Sequence, residues 1–350
     1  MSKLYKVLVL ACGLFCGVSL TAQDIHFSQF YMSPTNLNPA LTGVMNCNTR
    51  VVGNYRSQWS PILKSNAYNT YSVAYDQKLP VGRYDYFGFG ANVWRDVAGA
   101  LDFGTTTAKL LGAYSKRIGG DRKKSHYVSF GVEAGISQRG WDILQAQWGE
   151  YWDGSNVDIT RPSGEGNVPY KDNFLFGDIG LGVLWFSVLD ENNNFYVGAA
   201  LEHLNQANVS LIDGELVPFF TKSVLHAGGE FRVNSRMSLV PGAVLFDQGP
   251  SFELNAGTSV RFQMGSASLD DQSFQLGAWV RLANHYEDPI IMDAVILSTR
   301  FDMEQFGFGF SYDVNVSSLR QASNANGSFE FSMVYYMCGP QNRGVYCPKF

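Results

Sequence analysis

The run Tyr127-Val128-Ser129-Phe130-Gly131-Val132-Glu133-Ala134-Gly135-Ile136-Ser137 decides the fold. Val128, Phe130, Val132, Ala134 and Ile136 fall on one side of an extended chain, and Ser129, Gly131, Glu133, Gly135 and Ser137 on the other. Period two marks a strand with two unlike faces. Phe306, Phe308, Phe310, Tyr312 and Val314 alternate in the same way with Gly307, Gly309, Ser311, Asp313 and Asn315. The pattern recurs through most of the chain in strands of about ten residues, longer than the usual five or six and long enough to cross a tilted bilayer path. The expected fold is all-β: a closed antiparallel transmembrane β-barrel of about 14 strands.

The remaining composition agrees. Mean hydropathy is only -0.09, but alternation hides the apolar face of a membrane barrel from such averages. Aromatic residues make up 14% and charged residues 16% of the chain, with 36 glycines. Aromatics suit interface girdles, and glycines suit crowded positions on bent strands. A net charge of -5 speaks against a nucleic-acid partner.

Lys3, Lys6, the apolar run Val7–Leu20 and Thr21-Ala22-Gln23 read as a secretory signal peptide cut after Ala22. The expected organisation is a signal peptide at 1–22, a lead-in or plug at 23–48, the barrel at 49–337 and a tail at 338–350. Pro34 and Pro39, with Asn36 and Asn38 between them, make the lead-in turn-rich. With the N-terminus taken as periplasmic, connections mostly alternate between short turns and longer loops, the longest at Asp142–Asn173 and Asn205–Lys222, with two short exceptions on the loop side near Ala98 and Gly249. This sorting is what outer-membrane barrels show.

The register places Asp76, Lys109, Glu133, Asp178, Glu202, Glu230, Arg232, Glu253, Arg261, Arg281, Asp302, Asp313 and Glu330 on the inner face. Mixed signs fit either a wet channel or a lumen laced with ion pairs. His26, His126, His203, His226 and His285 show no metal-ligand spacing, and His203 and His226 read as structural lumen groups. No nucleophile elbow, HExxH or phosphate-binding glycine loop is present, so no enzyme, metal or cofactor is expected. Trp148, Tyr151 and Trp152, in the longest loop, form either a partner contact or a patch folded into the lumen. Asp153–Asp158 reads as a turn more than as a cation site. With the signal removed, Cys47, Cys338 and Cys347 remain. Cys47 can reach the tail across the barrel closure, while the turn-rich segment 339–344 favours a Cys338–Cys347 bond.

Two motifs carry a resemblance. Phe27-Ser28-Gln29-Phe30-Tyr31 continues to Asn38-Pro39-Ala40-Leu41-Thr42-Gly43, and Asn54-Tyr55-Arg56-Ser57-Gln58-Trp59 follows. With Tyr71–Asp76, Gly327–Tyr335 and the closing Cys347–Phe350, they resemble the PorP/SprF family of Bacteroidota outer-membrane proteins. The resemblance implies an outer-membrane location among the lipids there. It also implies work with type IX secretion components or with one large secreted adhesin, as in gliding motility. A passive porin or small-solute channel is the alternative.

Overall fold

The computed structural model describes residues 24–120, 124–146, 148–158, 160–161, 168–190, 193–264, 272–284, 290–339 and 347. The expected signal peptide, His285 and most of the tail after Gly339 lie outside these. Fourteen strands form one closed barrel in which every neighbour is antiparallel and β1 closes on β14. They are β1 (Thr49–Gln58), β2 (Tyr68–Val81), β3 (Asp85–Ala98), β4 (Phe103–Gly120), β5 (Ser125–Gly140), β6 (Asn173–Asp190) and β7 (Asn193–Glu202). The second half is β8 (Lys222–Asn234), β9 (Met237–Gln248), β10 (Ser251–Gln263), β11 (Ser273–Ala283), β12 (Ile291–Met303), β13 (Phe306–Asn315) and β14 (Asn326–Met337). β4 and β6 reach 18 residues, well beyond the expected ten. On β6 the extra length lies beside the longest loop, where β5 and β6 stay paired as far as Gly140 and Asn173, while β4 outruns β3 at the turn end and stays paired with β5 as far as Gly120.

The alternation assigns the faces. Phe130, Val132 and Ile136 are each more than 60% exposed, while Ser129, Glu133 and Ser137 are buried. The exposed set faces lipid. Phe87, Tyr114, Trp185, Phe231, Phe262 and Phe306 lie outward on the strand halves nearest the short turns, where aromatic side chains suit a membrane interface. Both the start of β1 and the end of β14 lie at that turn end. The long connections between β5 and β6 and between β7 and β8 gather at the opposite, loop end.

The core is inside the barrel. Residues 24–45 run through the lumen as a chain of short helical turns at Phe30–Met32, Pro34–Leu37 and Pro39–Leu41. Phe30, Leu37, Ala40, Leu41 and Val44 pack with inward residues of the wall, including Tyr86, Tyr127, Leu184, Phe186, Val244, Trp279 and Ile296. The segment starts at the loop end, where Asp24 meets Lys222 and Gln248, and finishes at the turn end, where Met45 meets Lys78.

The cysteine expectation is corrected. Cys338 bonds to Cys47 and not to Cys347, with Cα atoms 4.3 Å apart. The reason is register: Thr49 faces Met337 across the β1–β14 closure, so Cys47, two residues before that pair, and Cys338, one after it, are already within disulfide reach. Cys347 is free and buried, with its amide on the Asn46 side chain at 2.6 Å. Non-reducing digestion and mass spectrometry should find one linked peptide pair containing Cys47 and Cys338, and an alkylatable Cys347 after denaturation. A Cys338–Cys347 peptide would contradict this register.

Candidate functional site

The wall and the lumen segment were built for each other in sequence. Gly88, Gly131, Gly182 and Gly309 stand where the segment comes closest. A Cβ on Gly131 would lie 2.2 Å from the Ala40 nitrogen, and one on Gly88 would lie 2.0 Å from the Thr42 oxygen. On Gly182 and Gly309 it would strike Asn38 and Gln29 at 2.0 and 2.3 Å. These inward glycines therefore serve close backbone approach.

The Asn-Pro-Ala motif has a local reason. Asn38 caps the Pro39–Leu41 turn by accepting from the Ala40 amide at 2.8 Å, and Pro39 begins the turn where its missing N–H costs nothing. The Asn38 amide nitrogen faces the wall, 3.1 Å from the Val183 oxygen and 2.9 Å from His226 Nε2. Gly43 has φ +76°, and a Cβ there would stand 2.7 Å from Gly88 Cα, so two requirements favour glycine.

Irregular backbone inside a membrane protein must find partners within the protein. Here many of the partners are ionised wall side chains. Ser28 and Gln29 donate their amides to the two Glu330 oxygens at 2.5 and 2.8 Å. Gly43 donates to Asp76 at 2.8 Å. In the other direction, Arg56 donates to the His26 oxygen at 3.0 Å, Arg50 to the Leu41 oxygen at 3.2 Å and Asn54 to the Met32 oxygen at 3.1 Å.

The same side chains neutralise one another. Arg50 grips Asp76 with two bonds of 2.9 Å, both side chains at most 1% exposed. Arg56 pairs with Glu330 at 3.1 Å and Asp313 at 3.7 Å, and Arg281 meets Asp313 at 2.7 Å and Glu253 at 3.6 Å. A second network centres on Lys109, which contacts Glu133, Asp178 and Glu202 at 2.7, 3.0 and 3.5 Å. His203 bridges Asp178 and Asp24 at 2.9 and 3.1 Å, and Lys222 joins Asp24 to Glu202. Asp24, Glu202 and His203 offer atoms within 4.8 Å of one another, but the Lys222 ammonium already sits 3.5 and 3.7 Å from the two carboxylates. Removing such ions from water costs several kcal/mol each, so these networks fix the path of the segment more than they add stability.

The expected inner-face charges are therefore mostly where the register puts them. Glu230 and Arg261 pair near the turn end, Asp302 pairs with Arg300 at 2.9 Å, and Arg232 projects at the exposed rim. Of the motif residues, Phe27, Ser28, Gln29, Asn38, Pro39, Ala40, Gly43, Asn54 and Arg56 are buried in the lumen. Tyr55 stacks on Tyr71 outside, and Trp59 packs against Tyr68 at the loop end. Gln58 ends β1. The cluster around Asp24 and Lys222 was not legible, because only the three-dimensional path of the segment brings Asp24 there. Arg50 is missing from the expected inner-face set although a signal for it existed: it shares the inward parity of Asn54 and Arg56.

The long loop does not bring its three aromatics together. Trp148 stacks on Tyr170, which also meets Trp141, and Tyr170 bridges to Ile212 of the next long loop. Tyr151 is half-buried and Trp152 is 55% exposed. Asp153 accepts from the Ser155 and Asn156 amides at 2.7 Å, which makes it a turn.

Two substitutions test this architecture. Arg50→Met should cost about 3–5 kcal/mol, because Asp76 is left buried with no cation. Arg50→Met/Asp76→Met should cost clearly less than the two single changes added, as read from urea midpoints. Gly131→Val should leave the barrel heat-modifiable on gels but expose residues 24–45 to protease.

A family model described as type IX secretion system membrane protein PorP/SprF matches residues 19–335. No curated protein matches the sequence. Solved outer-membrane barrels resemble it only distantly. CdiB from Acinetobacter baumannii shares 10% identity over 84% of this chain and 60% of that one, with TM-score 0.45. The toluene transporter TbuX of Ralstonia pickettii shares 12% over 87% and 92%, with TM-score 0.43. This chain thus spans about 60% of the length of the CdiB chain. The family match covers nearly all of the barrel and both lumen motifs, and the chain belongs to the PorP/SprF family of type IX secretion outer-membrane proteins.

Proposed function

We propose that this barrel conducts no solute and catalyses no reaction, and that it holds a large type IX-secreted adhesin at the cell surface. The observation that carries this reading is the filled lumen. Residues 27–45 are almost wholly buried and bonded to strands around the barrel, including β1, β2, β5, β8 and β14. A porin needs an aqueous path, and this lumen is packed with apolar side chains and closed ion networks. The segment acts as a permanent plug. Short turns face the periplasm, and the long loops face outward.

Chemistry in the barrel is poorly supported. Ser187 contacts His126 Nδ1 at 2.8 Å, the kind of pair a hydrolase uses, but Ser187 is fully buried and its hydroxyl has no route to substrate.

The adhesin contact belongs on the loop end. Trp152 offers the largest exposed ring there, and Leu144 at 93% and Leu216 at 81% exposure add apolar surface in the same two long loops. Trp148 stacks instead on Tyr170, in the same loop. Aromatic anchors commonly contribute about 2 kcal/mol or more to an interface.

Deletion of the gene should remove one large adhesin from the cell surface and leave small-solute uptake unchanged. Trp148→Ala/Tyr151→Ala/Trp152→Ala should weaken display in a barrel that still folds. In planar bilayers the purified protein should show no open-channel conductance. Steady ohmic conductance, with normal adhesin display in the deletion strain, would restore the channel reading.

A further inference from the structure

The cations carried by the strands nearly all point inward. Arg50, Arg56, Lys109, Lys222, Arg261 and Arg281 do so, and each is paired with a carboxylate. Among the described strand residues, only Arg95 on β3 and Lys116 on β4 have outward parity. Arg95 is exposed on the same face as Val93 and Phe89. It makes no hydrogen bond and no ion pair with any described residue. Lys116 differs, because Asp85 bonds the Tyr114 hydroxyl and the Arg117 amide on either side of it. An unpaired cation on a lipid face is costly at the midplane and tolerated near the headgroups.

Register fixes the depth of Arg95. Ala98 ends β3 just beyond it at the loop end, and at ~3.3 Å per residue Arg95 lies about 10 Å inside that edge. An outward row of aromatics leads to it from strand to strand. Tyr312 faces Phe329, Phe329 faces Tyr55, Tyr55 faces Tyr71, and Tyr71 faces Arg95. The Tyr55 ring stacks on Tyr71 at 5.0 Å and meets Phe329 at 5.8 Å. A continuous aromatic row at one level marks a membrane interface. Thr106 continues the row on β4, opposite Arg95, and its hydroxyl bonds no described residue. Val73, Val93 and Leu110 lie on the same outer face, nearer the midplane, each close to half exposed or more.

Charge and place together select the ligand. In the membrane this stretch of wall is covered by lipid, so what meets Arg95 combines an apolar body with a group at headgroup level. That group must be an anion, since the guanidinium has no carboxylate partner of its own. Paired N–H donors of a guanidinium match two phosphate oxygens, and the Thr106 hydroxyl opposite adds a further donor. The Tyr71 ring, held by Tyr55, walls the other side. We propose that Arg95, Thr106 and Tyr71 bind the phosphate-bearing headgroup of an outer-leaflet lipid, with its acyl chains laid along Val73, Val93 and Leu110. The adhesin contact does not depend on this site, since Trp152 lies in the loop between β5 and β6.

The test is native mass spectrometry of the full chain released from detergent. The probes are diphosphoryl lipid A, the same lipid A after enzymatic removal of its phosphates, and inorganic phosphate. The phosphorylated lipid should be retained about tenfold or more over the dephosphorylated one. Arg95→Gln should weaken its binding about tenfold and Thr106→Val about threefold. Lys116→Gln, at the opposite interface, should leave it unchanged. All three side chains are on the outer face, and each variant should keep its heat-dependent gel shift. Four results would overturn the proposal. Both forms of lipid A could be retained equally. Binding could survive Arg95→Gln undiminished. Lys116→Gln could weaken it as much as Arg95→Gln, which would mean unspecific charge attraction. Inorganic phosphate could bind as tightly as the lipid, which would mean a free-anion site.

Discussion

The bonds that the Ser28 and Gln29 amides donate to Glu330, and the Gly43 amide to Asp76, set the terms for the rest of the molecule. An irregular segment cannot sit at membrane depth with its backbone unsatisfied. Its donors and acceptors must be met by the wall, and ionised side chains make the strongest such bonds. That requirement brings carboxylates into the lumen. The carboxylates then require Arg50, Arg56 and Arg281 beside them. The cations in turn reach back to the segment, at the His26 and Leu41 oxygens. Wall and plug each supply hydrogen-bond partners that the other lacks.

Packing follows from the same arrangement. With a segment inside, the barrel gains a true hydrophobic core, formed by Phe30, Leu37 and Leu41 against Tyr127, Phe186 and Trp279. The glycines on β3, β5, β6 and β13 are what let the segment lie so close to the wall. The Cys47–Cys338 bond anchors the end of the plug to the barrel closure. A lumen built this way leaves the barrel a filled body with its long loops gathered at one end.

Much of the fold was legible in the sequence. Each strand carries its own period-two record of which face meets lipid, as β5 and β13 show residue by residue. The lead-in could be read as turn-rich from Pro34, Asn36, Asn38 and Pro39. The inward glycines could not be fully read: the sequence shows them as small inner-face residues, but not that Gly131 faces Ala40 or that Gly88 faces Thr42. The disulfide failed for a related reason. Turn propensity near Cys338 is local, whereas the pairing of Thr49 with Met337 across the closure is fixed by the registers of all fourteen strands. Asp24 lay furthest from reach, since nothing near it in sequence marks Lys222 and His203 as neighbours.

The central claim is that wall carboxylates hold the plug backbone in place. Site-resolved hydrogen exchange on the full chain in lipid nanodiscs tests it most directly. The amides of Ser28, Gln29 and Gly43 should exchange as slowly as those in the middle of β5, although they lie in no strand. Exchange of these three amides at the rate of a free peptide, beside protected strands, would contradict the account.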